Sequence, residues 1–270
     1  MDIKLVAVDM DGTFLKDDMS YNKSRFLKQY QLMKERNIRF VVASGNQYEQ
    51  LKSFFPEIAD EIAFVAENGA NVIDGENRVF CGQMATETVN QVLNVLEKYH
   101  YENLIVCGKN SAYIQENVQR ETFTLSKKYY HLLQKVADFK NIDDIIFKFA
   151  VRFPQEKISI VLEELTNELG GIVTPVSSGH GDVDLIIPGL HKASGLNHLL
   201  NRWSLSFHQS AAFGDNGNDL EMIKRVKYGV AMSNAAPVVK NSAAYITQSN
   251  NEEGVLNSID LILRGEYPFN

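Results

Sequence analysis

The chain of 270 residues is 44% hydrophobic and 23% charged, with a net charge of −7, a balance that lets it bury a core without disulfide staples or structural metals. It has no basic block or basic–aromatic patch, which argues against nucleic acid as a partner, and no run of about 18 apolar residues to supply a membrane span. Its two cysteines, Cys81 and Cys107, lie outside any metal-ligand spacing, and the start Met1-Asp2-Ile3-Lys4 lacks the pattern of a signal peptide, so a cytoplasmic protein is expected.

In chain order, residues 4–8 read as a short buried strand that runs into acids and glycine. Residues 22–36 have helical spacing, with Phe26, Tyr30 and Met33 on one face. Two more apolar strands, 38–43 and 62–66, end at Ser44-Gly45-Asn46 and Glu67-Asn68-Gly69. Strand, helix, strand in this order predicts a parallel sheet with crossover helices. Val72-Ile73 and Val79-Phe80 flank Asp74-Gly75 as a hairpin. Between Met84 and Pro188 the pattern changes, with helices at 86–99 and 156–169 and strands at 104–106, 145–153 and 183–187. The parallel pattern resumes with a helix at 192–203, a strand at 210–213, a helix at 219–226 and a strand at 228–231. The expected fold is α/β: a doubly wound parallel sheet over 1–83 and 188–270, with an α+β domain inserted over 84–187.

Asp9-Met10-Asp11-Gly12-Thr13 directly follows the first strand. Residues two apart in a strand share a face, so both carboxylates can address one space, at the strand end where parallel sheets bind ligands. Adjacent carboxylates repel unless a cation or a shared proton relieves them. Mg²⁺, which takes one or two carboxylates plus waters and phosphate oxygens, suits that need, although turns after strands use the same residue types. Gly214-Asp215-Asn216-Gly217-Asn218-Asp219 follows another apolar strand and opens a helix. Its acids can complete a metal shell beside an anion-favouring helix N-terminus, or can serve only as a turn and N-cap. Ser44-Gly45-Asn46 offers a hydroxyl and backbone N–H groups to a phosphate, or caps a helix. Lys192 can neutralise a phosphoryl oxygen, although lone lysines are usually solvated.

Other features carry less. The six histidines show no metal-ligand spacing, and His191 and His198 read as surface or helix-packing residues. Gly179-His180-Gly181 lacks the third glycine of a dinucleotide fingerprint, and neither a Walker loop nor a nucleophile elbow occurs. Tyr129-Tyr130-His131 reads as partial helix packing.

Taken in order, Asp9-Met10-Asp11-Gly12-Thr13, Ser44-Gly45, Lys192, and Gly214-Asp215 with Asn218-Asp219 resemble the four motifs of the haloacid dehalogenase superfamily, over essentially the whole chain. The insertion between the second and third motifs resembles the C2-type cap of the Cof-like phosphatases. Val42-Ala43-Ser44-Gly45-Asn46-Gln47, Ala66-Glu67-Asn68-Gly69-Ala70 and Asp184-Leu185-Ile186-Ile187-Pro188-Gly189 resemble stretches of bacterial sugar-phosphate phosphatases of that group. The resemblance implies a Mg²⁺-dependent hydrolase of small phosphate monoesters, sugar phosphates foremost, working through a phospho-aspartyl intermediate. It implies Asp9 as nucleophile and Asp11 as the acid that protonates the leaving alcohol and later deprotonates water. Mg²⁺ would be held by Asp9, the backbone carbonyl of Asp11, and Asp215, with Asp219 as outer support. Ser44, Gly45, Lys192, Asn218 and the backbone N–H of Met10 would grip the phosphoryl oxygens.

Many relatives have Thr-Gly-Arg where this chain has Ser44-Gly45-Asn46, which keeps the hydroxyl and drops the charge. From the cap, Tyr113, Lys148 and His180 are candidates to contact the sugar. A phosphohexomutase of the phosphomannomutase type shares this kind of core and cap and is one alternative. A non-catalytic sugar-phosphate-binding regulator is another, opposed by the electrostatic cost of the Asp9–Asp11 pair. A dehalogenase would not need the second aspartate.

Overall fold

The structure, a computed structural model, describes residues 3–179 and 181–270; His180 lies outside the described residues. The chain opens with β1 (Leu5–Val8), α1 (Lys23–Glu35), β2 (Arg39–Ala43), α2 (Tyr48–Ser53) and β3 (Ala63–Ala66), then the hairpin of β4 (Asn71–Asp74) and β5 (Asn77–Cys81). A second unit follows: α3 (Thr86–Leu96), β6 (Asn103–Gly108), β7 (Ala112–Gln115), α4 (Arg120–Ser126), β8 (Leu133–Val136), β9 (Ile146–Arg152), α5 (Ile158–Leu169), β10 (Thr174–Gly179) and β11 (Asp182–Ile186). The chain returns through α6 (Lys192–Arg202), β12 (Ser210–Gly214), α7 (Leu220–Arg225), β13 (Tyr228–Ala231), α8 (Pro237–Lys240), β14 (Tyr245–Ile246) and α9 (Gly254–Arg264).

Among the described residues the first and last segments build one sheet ordered β14-β13-β12-β1-β2-β3-β4-β5. From β14 to β3 all pairs are parallel, and the β4–β5 hairpin adds an antiparallel edge. Its strands are short apolar runs because both faces are covered. Val6 and Val8 of β1 meet the core under α1 and α9, while Leu5 and Ala7 meet the core under α6 and α7. Helix α1 starts where the Asn22 side chain accepts the Arg25 N–H at 3.2 Å, and it buries Phe26, Tyr30 and Met33 as their spacing predicts.

The second sheet runs β10-β11-β9-β6-β7-β8 and is antiparallel except for β7–β8. Helices α3 and α5 cover one face, where Phe149, Val151, Val183 and Leu185 meet Val92, Leu96 and Leu165. The opposite face carries Lys148 and Asp184, which reach toward the first sheet. The fold is therefore the α/β sheet with an inserted α+β domain that the pattern predicts.

The structure also differs from the pattern. Tyr129-Tyr130-His131 is not helical: α4 ends at Ser126, and the turn closes with the Tyr130 N–H donating to the Ser126 carbonyl at 2.9 Å. The chain must turn there to feed β8, and Tyr130 packs under the sheet against Cys107 and Ile105. Helix α9 lies beyond the last predicted element.

Candidate active site

β1 sits between β2 and β12, so the chain leaves it in one direction along the sheet and later returns to it on the other side. Ligands of open α/β sheets bind at such a switch point, beyond the carboxyl ends of the strands. Asp9 follows β1, Ser44 follows β2, Glu67 and Asn68 follow β3, and Asp215 follows β12, so one sheet edge gathers segments far apart in sequence.

Asp9 is extended (φ −73°, ψ 164°) and is anchored by its N–H to the Phe213 carbonyl at 3.0 Å. Because β1 ends at Val8, Asp9 and Asp11 lie in the turn beyond it, and strand alternation is not what places them. The turn over Met10–Phe14 passes through Gly12 at φ +71°. A Cβ at Gly12 would stand 2.6 Å from Asp215 Oδ2. Gly12→Ala is therefore expected to cost about 1–2 kcal/mol for the left-handed backbone, and to lower kcat about 100-fold by displacing Asp215. Urea unfolding and phosphate release read the two effects, and a variant with parental kcat would refute the close approach.

Lys192 opens α6 and is fully buried. Its Nζ donates to Asp9 Oδ1 at 2.6 Å and to Asp219 Oδ1 at 2.7 Å. Two local features bring it there. His191 caps the helix, its Nδ1 accepting the Ser194 N–H at 3.1 Å. Gly195 lets α6 lie on β3, for a Cβ there would be 2.4 Å from Val65 Cγ1. His191 must be neutral at Nδ1 to accept that bond, and burial lowers its pKa in the matching direction. His198 stacks on Phe80 with ring centroids 4.1 Å apart, so both histidines serve packing and capping.

Carboxylate oxygens of Asp9, Asp215 and Asp219, all buried, lie within 4.8 Å of one another. Thr13 Oγ1 donates to Asp215 Oδ1 at 2.9 Å. Asp219 Oδ2 accepts the N–H groups of Asp215 and Asn216 at 2.9 and 3.0 Å, so with Lys192 on Oδ1 it is already spoken for. Burial, then repulsion from Asp219, holds the Asp9 carboxyl well above the usual carboxylate range despite Lys192. The same two causes push Asp215 up to about 7. Three carboxylates against one ammonium leave a buried negative excess. Carboxylate oxygens in such a set fit a hard divalent cation, which would relieve that excess.

Asp11 is not among these converging carboxylates; its Oδ2 accepts from Asn46 Nδ2 at 2.6 Å. Ser44 is buried and its Oγ accepts the Asn46 N–H at 3.1 Å. Gly45 faces the inserted domain, since a Cβ there would be 3.1 Å from Asp184 Oδ2. Asn218 donates to Asn68 Oδ1 at 3.2 Å. Met10 places its side chain in the core, so its backbone is what it can offer a ligand. Tyr113 donates to Asp144 and packs in the inserted domain's own core, away from this edge.

Sequence reasoning did not single out Asn46 as the partner of Asp11, nor Thr13, Asn68 or Asp184. Asn234, whose Nδ2 donates to the Gly12 carbonyl at 2.8 Å, was also missed. The readable signal was a charge in an apolar run: Lys148 stands alone among Ile146, Phe147, Phe149 and Val151.

Buried carboxylates around a buried lysine, at the carboxyl ends of the strands, make a site that can hold a cation beside an anionic ligand. The haloacid dehalogenase-like hydrolase family model matches residues 6–259. The 5-amino-6-(5-phospho-D-ribitylamino)uracil phosphatase YbjI of Escherichia coli K12 is 48% identical over 269 residues, covering 100% of this chain and 99% of that one. The crystal structure of SMU.1108c from Streptococcus mutans UA159 superposes with a TM-score of 0.93 at 34% identity, covering 97% and 99%. A HAD/COF-like hydrolase of Plasmodium vivax, at 22% identity and TM-score 0.86 over 98% and 97%, shares the fold. The chain belongs to the haloacid dehalogenase-like hydrolase family, and it is a phosphatase of that family.

Proposed function

We propose that the chain is a Mg²⁺-dependent phosphomonoesterase that acts on phosphorylated sugars or polyols through a phospho-aspartyl intermediate on Asp9, with 5-amino-6-(5-phospho-D-ribitylamino)uracil as its foremost substrate. The observation that carries the chemistry is fully buried Lys192 bonded to both Asp9 and Asp219. A lysine so placed lets an anionic ester approach an anionic nucleophile. The substrate rests on the 48% identical relative, whose leaving group is a ribityl chain, and on the resemblance to sugar-phosphate phosphatases.

In the first half-reaction Asp9 attacks phosphorus and the bond to the ester oxygen breaks, while Asp11 gives that oxygen its proton. In the second, Asp11 takes a proton from water, the water oxygen attacks phosphorus, and the Asp9–phosphorus bond breaks to release inorganic phosphate. Asn46 holds the Asp11 carboxylate between these transfers. Lys192 offsets charge on the phosphoryl oxygens, with Ser44, Gly45, Asn218 and the Met10 backbone as further donors. Asp9, Asp215 and the Asp11 carbonyl would hold Mg²⁺, Asp219 supporting them, and the cation would supply charge neutralisation at the phosphoryl group. Asn46, unlike arginine, brings no charge, which places more of that neutralisation on Lys192 and the cation. Residues 84–187 act as a cap over the site.

Phosphate release from a panel of sugar and polyol phosphates, including the ribitylaminouracil ester, tests this. Release is expected with Mg²⁺, absent with EDTA and restored by added Mg²⁺, with the ribityl ester leading in kcat/KM. Release that survives exhaustive chelation would remove the metal from the reading. An isomerised sugar phosphate in place of free phosphate would make the protein a mutase.

A further inference from the structure

The inserted domain's sheet ends in β8 on one side and β10 on the other, and each edge stands on a core loop. The β10 edge packs on the turn after β12, where a Cβ on Gly179 would be 2.7 Å from Asn216 Nδ2. The β8 edge is held differently. Gln47 Nε2 donates to the Leu132 carbonyl at 2.9 Å, and Gln47 Oε1 accepts the Leu132 N–H at 2.8 Å. The same carbonyl accepts the Ala112 N–H of β7, so Gln47 grips the point at which the chain joins the sheet.

Three observations set this grip apart from ordinary packing. Gln47 stands at the N-cap position of α2, where Ser, Thr, Asp and Asn are favoured because they bond the first N–H groups of the helix. Its side chain makes no such bond and instead reaches a residue 85 positions away. It is buried, and a buried amide needs both its donor and its acceptor answered; Leu132 answers both. The Leu132 side chain is itself exposed, so its apolar burial is not what brings this backbone to the core.

The grip bears on the residue before it. Asn46 Nδ2 donates to Asp11 Oδ2 at 2.6 Å, while the Asn46 carbonyl accepts the Glu67 N–H at 3.2 Å. The loop is thus braced from the core on one side and from the inserted domain on the other. We propose that Gln47 is a positioning residue: its two bonds to Leu132 fix the loop from which Asn46 aims Asp11 at the leaving oxygen. This rests on the phosphatase reading above, in which Asp11 gives the ester oxygen its proton as the bond to phosphorus breaks. Misplacing a reacting group by about 1 Å costs on the order of 10²-fold in rate. Two bonds to one backbone unit restrain both the distance and the tilt of the loop.

Phenyl phosphate and p-nitrophenyl phosphate test this, because they are close in shape and differ in how far the departing oxygen needs a proton. Their kcat/KM values cover the steps up to release of that oxygen, so the ratio of the two reads the proton transfer from Asp11. Gln47→Met keeps the stem and removes both bonds. It is expected to raise the p-nitrophenyl to phenyl ratio at least about tenfold over the parent's, the phenyl ester bearing most of the loss. Asn46→Ala should raise it as far, and the two substitutions together no further, since both act through one contact. Gln47→Glu keeps an acceptor for the Leu132 N–H alone and should fall between the parent and Gln47→Met. It decides the matter if circular dichroism shows Gln47→Met unfolded. An unchanged ratio in the folded variant, or additive effects of the two substitutions, would overturn the positioning role while the phosphatase reading stands. No phosphate released by the parent from either ester with Mg²⁺ would overturn that reading, and this role with it.

Discussion

Asp9→Asn is expected to lower phosphate release by on the order of 10⁴-fold or more, equivalent to about 5.4 kcal/mol of barrier, while the metal-free chain melts no lower than the parent. Asparagine keeps an oxygen that can accept from Lys192 but cannot attack phosphorus, so on the proposed mechanism geometry survives and the covalent step would be lost. The stability arm follows from charge. Asp9 lies with Asp215 and Asp219 in a buried set in which the Lys192 ammonium pairs with Asp9 and Asp219. Burial raises its folded pKa above the unfolded one. A carboxyl raised in this way is a source of stability below its unfolded pKa, and that contribution is lost as pH rises through the folded value. At neutral and higher pH the asparagine escapes that penalty because it does not ionise. Steady-state phosphate assays and thermal unfolding in EDTA check the pair. A kcat within tenfold of the parent would remove Asp9 as nucleophile, and a melt several degrees lower would show that its carboxylate stabilises the apo site.

The sheet was legible because parallel strands buried on both faces must be apolar runs, and the acids at 9 and 215 follow such runs directly. The rule that ligands sit at strand carboxyl ends then brings the two motifs together without coordinates. Lys192 was harder. Its own position suggests only a helix start, and its burial depends on the His191 cap and on Gly195 letting α6 approach β3, neither visible as periodicity. The Asn68–Asp184 contact depends on how the two sheets dock, and the Asn46–Asp11 contact on how the turns after β2 and β1 meet, neither of which local pattern encodes. One such anchor is Gln47, whose side-chain amide exchanges hydrogen bonds of 2.9 and 2.8 Å with the Leu132 backbone. Helix α9 was readable in principle, since Val255, Ile259 and Ile262 are helically spaced and buried, yet the predicted elements stop at Ala231. The short strands β7, β8 and β10 mix exposed polar and apolar residues and give no clean alternation.

Lys192→Met is expected to damage both folding and catalysis, and to do so in a way that exposes the cation's share. The methionine roughly fills the space of the stem but leaves Asp9 and Asp219, bonded at 2.6 and 2.7 Å in the parent, without their counter-charge. Removing one partner of a buried ion pair typically costs 3–5 kcal/mol, so urea unfolding in EDTA should show a loss of about that size. If Lys192 meets the phosphoryl oxygens as proposed, losing it should lower kcat by about 10²–10³-fold. If the acidic set holds Mg²⁺, the ion binds the folded state alone and adds stability by mass action, and it also relieves repulsion that Lys192 no longer offsets. Millimolar Mg²⁺ should then raise the melting temperature of the variant by more than it raises that of the parent. Equal shifts in the two proteins would mean that the lysine and the cation neutralise different charges, and the shared electrostatic account of Asp9, Asp215 and Asp219 would have to be given up.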